Sequence, residues 1–408
     1  MKILFLTIVK IETLEERWIY TDLLRKFRDN GHEVFVISPI ERKYKTATNL
    51  KNEEGVTILQ VKSFNMQKTN VVEKGIGILA LDYQFLRGAR KYFSKEKFDL
   101  ILYSTPPITF TKVIRAIKKR DNAYCYLLLK DIFPQNAVDL SLMKKGGVLH
   151  RFFMKEERKL YEISDTIGCM SPANKSYLIR NYEYIKPEKI EVNPNSIEPL
   201  NTELSLEDKL KIRKKYSLPI HKKIFVYGGN LGLPQGIDFL LQTIGNSADI
   251  EVFFLIVGAG REYKRIEQWF MQHKPKNAKL LASLPKSEYD LLVGSCDVGM
   301  IFLNPDFTIP NFPCRLLSYL EFSIPVLAAT DKNTDVGEVI EKAGCGIWVQ
   351  SGDIKKMIQA IKKMIMNEEE FLLMKKKARG LLEKEFTVDT SYRLIEAKGR
   401  KFVSASKD

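Results

Sequence analysis

The chain has 408 residues, about twice the size of one ordinary domain, and its 45% apolar and 11% aromatic residues are enough to fill two cores. The 65 Lys and Arg against 50 Asp and Glu give a net charge of +15 spread along the sequence. That describes a basic surface suited to nucleotides, lipid phosphates or nucleic acid and excludes a disordered basic arm.

The five cysteines (Cys125, Cys169, Cys296, Cys314, Cys345) form no Cys-x-x-Cys pair, and the four histidines have no ligand-like spacing. They argue against a disulfide framework or a structural zinc site and for reduced, core-filling thiols in a cytosolic compartment.

In chain order, the apolar run 3–9 lacks a small-residue cleavage site and meets Lys10 too soon for a signal peptide, so it reads as a first strand. Tyr20, Leu23, Leu24 and Phe27 recur with helical spacing, Asn30-Gly31 stops the helix, and 34–37 is a second strand. The alternation returns as strand 100–103, a helix opened by Pro106-Pro107, strand 124–129, a helix around 149–160, strand 166–170 and a helix after Pro172. Such a pattern predicts a parallel sheet flanked by helices.

Residues 194–220, with Pro194, Pro199 and Pro219, read as a linker without a strong strand. A second series follows with strands 224–227, 252–257, 279–281, 298–303 and 325–329, each leading into a loop and a helical stretch. The fold expected is α/β, two Rossmann-like doubly wound domains facing across a cleft. Their spans are 1–197 and 198–387, and a helix about 388–408 crosses back to the first domain. No run reaches the ~18 apolar residues that a membrane span needs, so any membrane attachment is peripheral.

Ligands of open α/β sheets bind beyond the carboxyl ends of strands, which directs attention to the loops there. In Gly228-Gly229-Asn230-Leu231-Gly232-Leu233-Pro234-Gln235-Gly236 the glycines allow close backbone approach and the next helix offers free N–H groups to a phosphate; the alternative is a plain tight turn. Gly258-Ala259-Gly260 lacks the third glycine of a dinucleotide fingerprint, because Tyr263 stands there, and reads as a tight turn.

Pro313-Cys314-Arg315 puts an Arg in the first turn of a helix, against the dipole, so Arg315 serves either an anionic ligand or a partner carboxylate. Asp335 reads as a helix cap and Glu338 as either a surface acid or a contact to a ribose or sugar hydroxyl. Among the first-half loops, Thr105 follows one strand and Lys130-Asp131 another; Asp131 either caps a helix or holds an acceptor hydroxyl. No Asp-x-Asp occurs, so leaving-group charge would fall to Arg315 and backbone N–H groups.

At these residues the sequence resembles glycosyltransferase family 4, of the bacterial polysaccharide-assembly type. The residues that carry the resemblance are Gly229-Asn230-x-Gly232-x-x-Gln235-Gly236, then Pro313-Cys314-Arg315 with Tyr319-Leu320 and Pro325-Val326, against the family's Pro-Ser-Lys, Tyr-Leu/Met, Pro-Val/Ile. Ile19 to Leu24, Gly31-His32-Glu33-Val34, Ser38-Pro39 and Asp131-Ile132-Phe133-Pro134 extend it over nearly the whole chain.

The resemblance implies a GT-B fold, a nucleoside-diphosphate sugar held by the second domain, and an acceptor held by the first, where Thr105, Lys130 and Asp131 are the candidate residues. It further implies transfer with retained configuration and no metal or other cofactor. The implied setting is the cytoplasmic face of the plasma membrane, where an undecaprenyl-diphosphate-linked glycan is the acceptor for capsule, O-antigen or exopolysaccharide. Uridine diphosphate is the carrier expected, and an N-acetylated hexosamine or its 6-deoxy form the sugar.

The family's two glutamates separated by seven residues are here Pro310 and Ser318, which leaves Glu321, one turn beyond Ser318, or Glu338 to replace the ribose-binding acid. Lys144, Lys145, Leu149, Arg151, Phe152, Phe153, Lys155, Arg158 and Lys159 interleave basic and apolar residues, as either a membrane-facing helix or an ordinary core-facing stripe with Leu160. The rival readings are a sugar-nucleotide 2-epimerase, which wants more acids and histidines, and a nucleic-acid-binding protein, which wants a clustered basic module; no nucleic-acid partner is expected.

Overall fold

The computed structural model describes residues 1–66, 71–200 and 204–405. Backbone contacts divide it into two units, Met1–Glu198 with Val388–Asp408, and Pro199–Thr387.

The first unit runs β1 (Lys2–Leu6), α1 (Ile19–Asp29), β2 (Glu33–Glu41), β3 (Asn49–Glu53), β4 (Val56–Ser63), α2 (Val71–Tyr92), β5 (Leu100–Ser104) and α3 (Thr111–Asp121). It continues with β6 (Tyr124–Leu129), α4 (Gln135–Asp139), α5 (Val148–Ile163), β7 (Thr166–Cys169), α6 (Pro172–Asn181) and β8 (Ile190–Val192). The sheet order is β3-β4-β2-β1-β5-β6-β7-β8, parallel except for the antiparallel pair β3 and β4. Strands β1, β5 and β6 are covered on both faces, and their continuous apolar runs follow from that, with Leu4, Leu6, Leu100, Leu102 and Leu127 at 0% exposure.

The second unit holds α7 (Leu206–Lys215), β9 (Lys223–Asn230), α8 (Ile237–Gly245), β10 (Val252–Ala259), α9 (Tyr263–His273), β11 (Ala278–Ala282), α10 (Lys286–Gly294) and β12 (Val298–Phe302). After these come α11 (Arg315–Glu321), β13 (Val326–Thr330), α12 (Val336–Ala343), β14 (Gly346–Gln350), α13 (Ile354–Met366) and α14 (Glu368–Glu385). Its six strands are all parallel in the order β11-β10-β9-β12-β13-β14. The order reverses between β9 and β12, so the loops after β9 and β12 meet at a topological switch point, where open sheets form their crevice.

The last helix, α15 (Val388–Ala405), belongs to the first unit. Tyr392 packs on Phe27 with ring centres 5.0 Å apart and meets His32 Nε2 at 3.3 Å, while Lys26 pairs with Asp389 at 2.6 Å. Burying Ile395 fully contributes about 1.5–3 kcal/mol to this docking.

Three sequence readings need correction. Helix α3 begins at Thr111, because Pro106 and Pro107 lie in the preceding loop and Phe110 is its N-cap. The 194–220 segment contains α7, started by Ser205, whose hydroxyl accepts the Asp208 N–H. Of the cysteines, Cys314 is exposed, because it stands at the N-cap of α11 outside the packed helix face; the other four are buried.

Candidate active site

In the second unit, β9 delivers its chain into Gly228, Gly229 and Asn230, and a short turn Leu233–Gln235 leads through Gly236 to α8. Gly229 has φ +113° and Gly236 φ +55°, conformations that a side chain resists. A Cβ at Gly236 would stand 2.6 Å from the Leu303 carbonyl oxygen, which locks this turn against the end of β12.

Gly258 and Gly260 serve the same turn from outside. A Cβ at Gly258 would lie 1.9 Å from the Gly229 oxygen and one at Gly260 2.3 Å from that of Leu231. The Leu231 N–H meets Ala259 O and the Glu262 N–H meets Leu231 O, each at 2.9 Å. This second glycine pair is therefore a packing platform for the first.

Arg315 opens α11 and reaches into the turn. Its Nη2 donates to Gln235 Oε1 at 2.5 Å and its guanidinium lies 4.3 Å over the Tyr227 ring. The Tyr227 hydroxyl points at the same Gln235 oxygen (3.1 Å) and at Asn230 O (3.2 Å). Burial raises the Tyr227 pKa, and the Arg315 charge offsets part of that rise. Arg315 Nη1 is sealed from solvent and has no hydrogen-bond partner.

A charged buried donor without an acceptor costs free energy unless a ligand supplies one. Tyr319, one turn along α11, fixes the floor: its hydroxyl faces Val226 O, Met300 O and the Gly228 N–H at 3.2, 3.1 and 3.4 Å.

The structure thus brings Gly229, Asn230, Gly232, Gln235, Gly236 and Arg315 together. Ser318 is half-buried on α11, and its hydroxyl makes no hydrogen bond within the described residues. Glu321 lies at the far end of α11, 5% exposed, with Oε1 accepting the Leu200 N–H at 2.9 Å, so it ties down the entering chain. Glu338 is exposed and paired with Lys342 one turn on.

Sequence reasoning missed Asn311, Asp331 and Thr334. Asp331 accepts the N–H groups of Asn333 and Thr334 (2.8 and 3.0 Å) and the Thr334 hydroxyl (2.8 Å), and Thr334 Oγ1 in turn accepts the Asn311 N–H at 3.0 Å. This knot binds the loop ahead of α11 to the one after β13 and leaves Asn311 Nδ2 as a second sealed, unpartnered donor beside Arg315 in sequence. The signal was a cluster of Asn, Thr and Asp at strand ends.

In the first unit Thr105 Oγ1 accepts the N–H groups of Lys130 and Asp131 (2.9 and 3.2 Å) and donates to Asp131 O (3.1 Å). All three expected acceptor residues therefore meet at the ends of β5 and β6. Asp131 Oδ2 accepts Asn136 Nδ2 at 2.6 Å. Burial pushes the Asp131 carboxyl up to about 6, against the opposing bonds from the Ile132 N–H and Asn136.

Glu157 of α5, unremarked in the sequence, is fully buried, accepts the hydroxyls of Tyr161 and Tyr182 (2.9 and 3.0 Å), and is pushed up to about 8 by burial. Of the basic and apolar stripe on this helix, Leu149 and Phe152 are exposed, whereas Phe153 packs edge-on against Phe133. Arg158 pairs with Glu162 and Lys159 with Glu156.

Among the described residues no His, Cys, Asp and Glu cluster of three or more is arranged to hold a metal ion, and no helix is long and apolar enough to cross a membrane.

Two doubly wound parallel-sheet units, with a glycine turn and a cation at the switch point of the second, define the GT-B glycosyltransferase class. Profiles for Glycosyltransferase Family 4 and for Glycosyl transferases group 1 match residues 19–199 and 208–381. The chain belongs to glycosyltransferase family 4.

It is 22% identical over 372 residues to the colanic acid biosynthesis glycosyl transferase WcaI of Escherichia coli, covering 87% of this chain and 89% of that one. It is 20% identical over 276 residues to the glycosyltransferase WbjE of Pseudomonas aeruginosa, covering 66% and 67%. Among solved structures it resembles sucrose-phosphate synthase from Thermosynechococcus elongatus (TM-score 0.77, 15% identity, 99% of each chain). It also resembles Anabaena HepE in complex with UDP-glucose (TM-score 0.69, 16% identity, 98% of this chain and 99% of that one).

Proposed function

We propose that the chain transfers a sugar, with retained anomeric configuration, from a uridine-diphosphate sugar to a lipid-linked glycan acceptor in bacterial surface polysaccharide assembly. The observation that carries the donor half is Arg315 Nη1, sealed, charged and unpartnered beside the glycine turn after β9. A diphosphate oxygen supplies the missing acceptor, and the same cation stabilises negative charge on the departing diphosphate as the glycosidic bond lengthens. Gln235 is neutral, so it aims the guanidinium without neutralising it. The HepE complex with UDP-glucose and the polysaccharide role named for WcaI support this reading of donor and pathway class.

Asp131 is the group proposed to hold the acceptor hydroxyl, with Thr105 and Lys130 fixing its loop. Its carboxylate fraction near neutrality orients that hydroxyl for attack on the leaving-group face of the sugar. Arg315 and backbone N–H groups take the role that a metal ion has elsewhere, and activity is expected to survive a chelator.

The test is a thermal-shift panel of UDP, GDP, ADP, CMP and NAD, run on wild type and Arg315→Ala. A shift with UDP that disappears in the variant is expected; no shift with any nucleotide, or an unchanged shift in the variant, removes Arg315 from the donor site.

A further inference from the structure

Helices α8 and α9 of the second unit leave an open cavity of about 490 Å³ between them, within the usual size of a small-molecule site. Helix α8 lines it with Asp238, Leu241, Gln242, Gly245 and its C-cap Asn246, and α9 with Arg265, Gln268, Trp269, Gln272 and His273. Each set follows the i, i+3, i+4, i+7, i+8 spacing of one helix face, so the groove runs about 12 Å along both helices.

An outward helix face in a chain with 28% charged residues ordinarily carries Lys, Arg, Asp and Glu. This groove carries amides. Gln242, Asn246, Gln268 and Gln272 are exposed, and the side chains of the three glutamines make no hydrogen bond or ion pair within the described residues. The guanidinium of Arg265 is already neutralised: it pairs with Asp238 and with Glu262 Oε2, the latter at 2.6 Å. Leu241, the aliphatic side chain of the set, is 6% exposed.

One wall is aromatic. The rings of Trp269 and His273 stack 4.6 Å apart at 17°, and the 3.0 Å contact of His273 Nδ1 with Trp269 O fixes the pair. Trp269 rests on the buried core, is half-buried, and its indole N–H has no hydrogen-bond partner within the described residues. Beside it, Gly245 ends α8. A Cβ there would meet nothing closer than the indole Cζ2 at 4.0 Å, an ordinary contact, and the residue does not have a positive φ. Nothing in the fold therefore demands glycine, the poorest helix former after proline, at this exposed position. Its missing side chain leaves the groove open at the edge of the indole.

We infer that the α8–α9 groove binds an uncharged glycan chain, as a second carbohydrate site built by residues other than those of the glycine turn. A sugar ring presents an apolar face of C–H groups edged by hydroxyls that donate and accept at once. The aromatic wall complements the face, and amides, each with an acceptor and two donors, complement the hydroxyls. A nucleotide or a phosphate would want a free Lys or Arg, and a lipid or an apolar peptide an exposed aliphatic stripe; the groove offers neither. That the glycan is the polysaccharide under assembly rests on the function proposed above, whereas the groove does not depend on the donor site.

Ligand-observed NMR titration with maltohexaose, cellohexaose and chitohexaose, and with hexagalacturonate as an acidic counterpart, tests it. At least one neutral hexasaccharide is expected to bind at roughly millimolar strength, and the acidic one more weakly. Trp269→Ala should weaken that binding by roughly 3- to 10-fold, the worth of an aromatic contact, and Gln268→Ala/Gln272→Ala by roughly 3- to 10-fold through lost hydrogen bonds. Gly245→Leu should fill the groove and weaken binding by about tenfold or more, while its melting temperature stays level or rises.

Three outcomes overturn the site: no neutral hexasaccharide binds, Gly245→Leu binds as wild type, or hexagalacturonate binds as tightly as the best neutral chain. Binding that survives Gly245→Leu belongs to another part of the protein. If Trp269→Ala or Gly245→Leu fails to fold, the exposed glutamine pair decides. The UDP thermal shift, measured on every variant, reports the donor site separately: it should match wild type throughout, and its absence in wild type would overturn the donor reading and leave the groove standing.

Discussion

Arg315 and Gln235, 80 residues apart in sequence, share a 2.5 Å hydrogen bond from Nη2 to Oε1 above the ring of Tyr227. A neutral partner holds the guanidinium in place and leaves its charge for an anion. Gln235→Ala is therefore expected to weaken UDP binding by roughly 3- to 10-fold, the worth of one orienting hydrogen bond. Gln235→Glu should weaken it further, because a carboxylate there competes with the phosphate. Titration calorimetry with UDP reads both; tighter binding by Gln235→Glu would refute the neutral-partner argument.

Arginine at this position is held by a planar stack and a directed bond, neither of which an ammonium reproduces. Arg315→Lys keeps the charge and loses both, so kcat/KM should fall by about tenfold. Arg315→Ala should fall by about 10²–10³, the range for removing one donor to developing negative charge. A Lys variant with wild-type kinetics would show that only charge matters and that the Tyr227 and Gln235 contacts are incidental.

The two glycine pairs are coupled by backbone contact, so Gly258→Ala acts on a loop it does not belong to. Its Cβ would lie 1.9 Å from the Gly229 oxygen, and backbone must move to admit it. A loss of at least ~1–3 kcal/mol follows, together with weaker UDP binding. Chemical denaturation followed by UDP titration of the folded fraction checks both. A stable variant with normal UDP affinity would mean that the two turns are independent.

This coupling also shows where sequence reading succeeds and where it stops. Buried parallel strands are continuous apolar runs, and 124–129 matched β6 to the residue. The edge strand β3 was missed because Asn49–Glu53 is mostly polar and half-exposed, with Leu50 its one apolar residue and so no period to read. The stretch 71–92 was missed because its outer stripe carries apolar residues that blur helical amphipathicity. At the site, the glycine turn and Arg315 were legible because glycines clustered after a strand and a cation in the first turn of a helix mark themselves within a few residues of sequence. The tie of Glu321 to Leu200 could not be read because the two lie 121 residues apart, and Glu157 went unseen because one of its two phenols, Tyr182, comes from beyond the next strand.

Glu321 gives a direct contrast between the two roles it could have had. As the acceptor for the Leu200 N–H, Glu321→Ala leaves a buried donor unpaired and should cost about 1–3 kcal/mol of stability. UDP affinity of the folded protein should stay within about twofold. If instead affinity fell tenfold or more while stability held, the carboxylate would be serving the ribose after all.

Glu157 and Asp131 of the first unit predict opposite pH trends for stability and activity. Glu157, ordinarily near 4.5, is pushed up to about 8 by burial, so the native state keeps a proton that the unfolded chain has already released. Between about pH 4.5 and 8 the native form thus binds more protons than the unfolded one, and stability falls as pH rises through that window. Glu157→Gln preserves an acceptor for Tyr161 and Tyr182 but has no proton to lose. Its stability should decline less than that of wild type between pH 6 and 8, by a difference on the order of 2 kcal/mol.

Asp131, pushed up to about 6, sets the activity trend, since only its carboxylate accepts an acceptor hydroxyl. In wild type kcat/KM should rise with pH through a midpoint near 6, and Asp131→Asn should be slow and flat across that range. Parallel denaturation and rate profiles separate the two acids: Glu157→Gln alters the first and keeps the midpoint near 6, whereas Asp131→Asn abolishes it. A wild-type rate profile flat from pH 5 to 8 would take Asp131 out of the acceptor site and leave it, like Glu157, an acid that serves the fold.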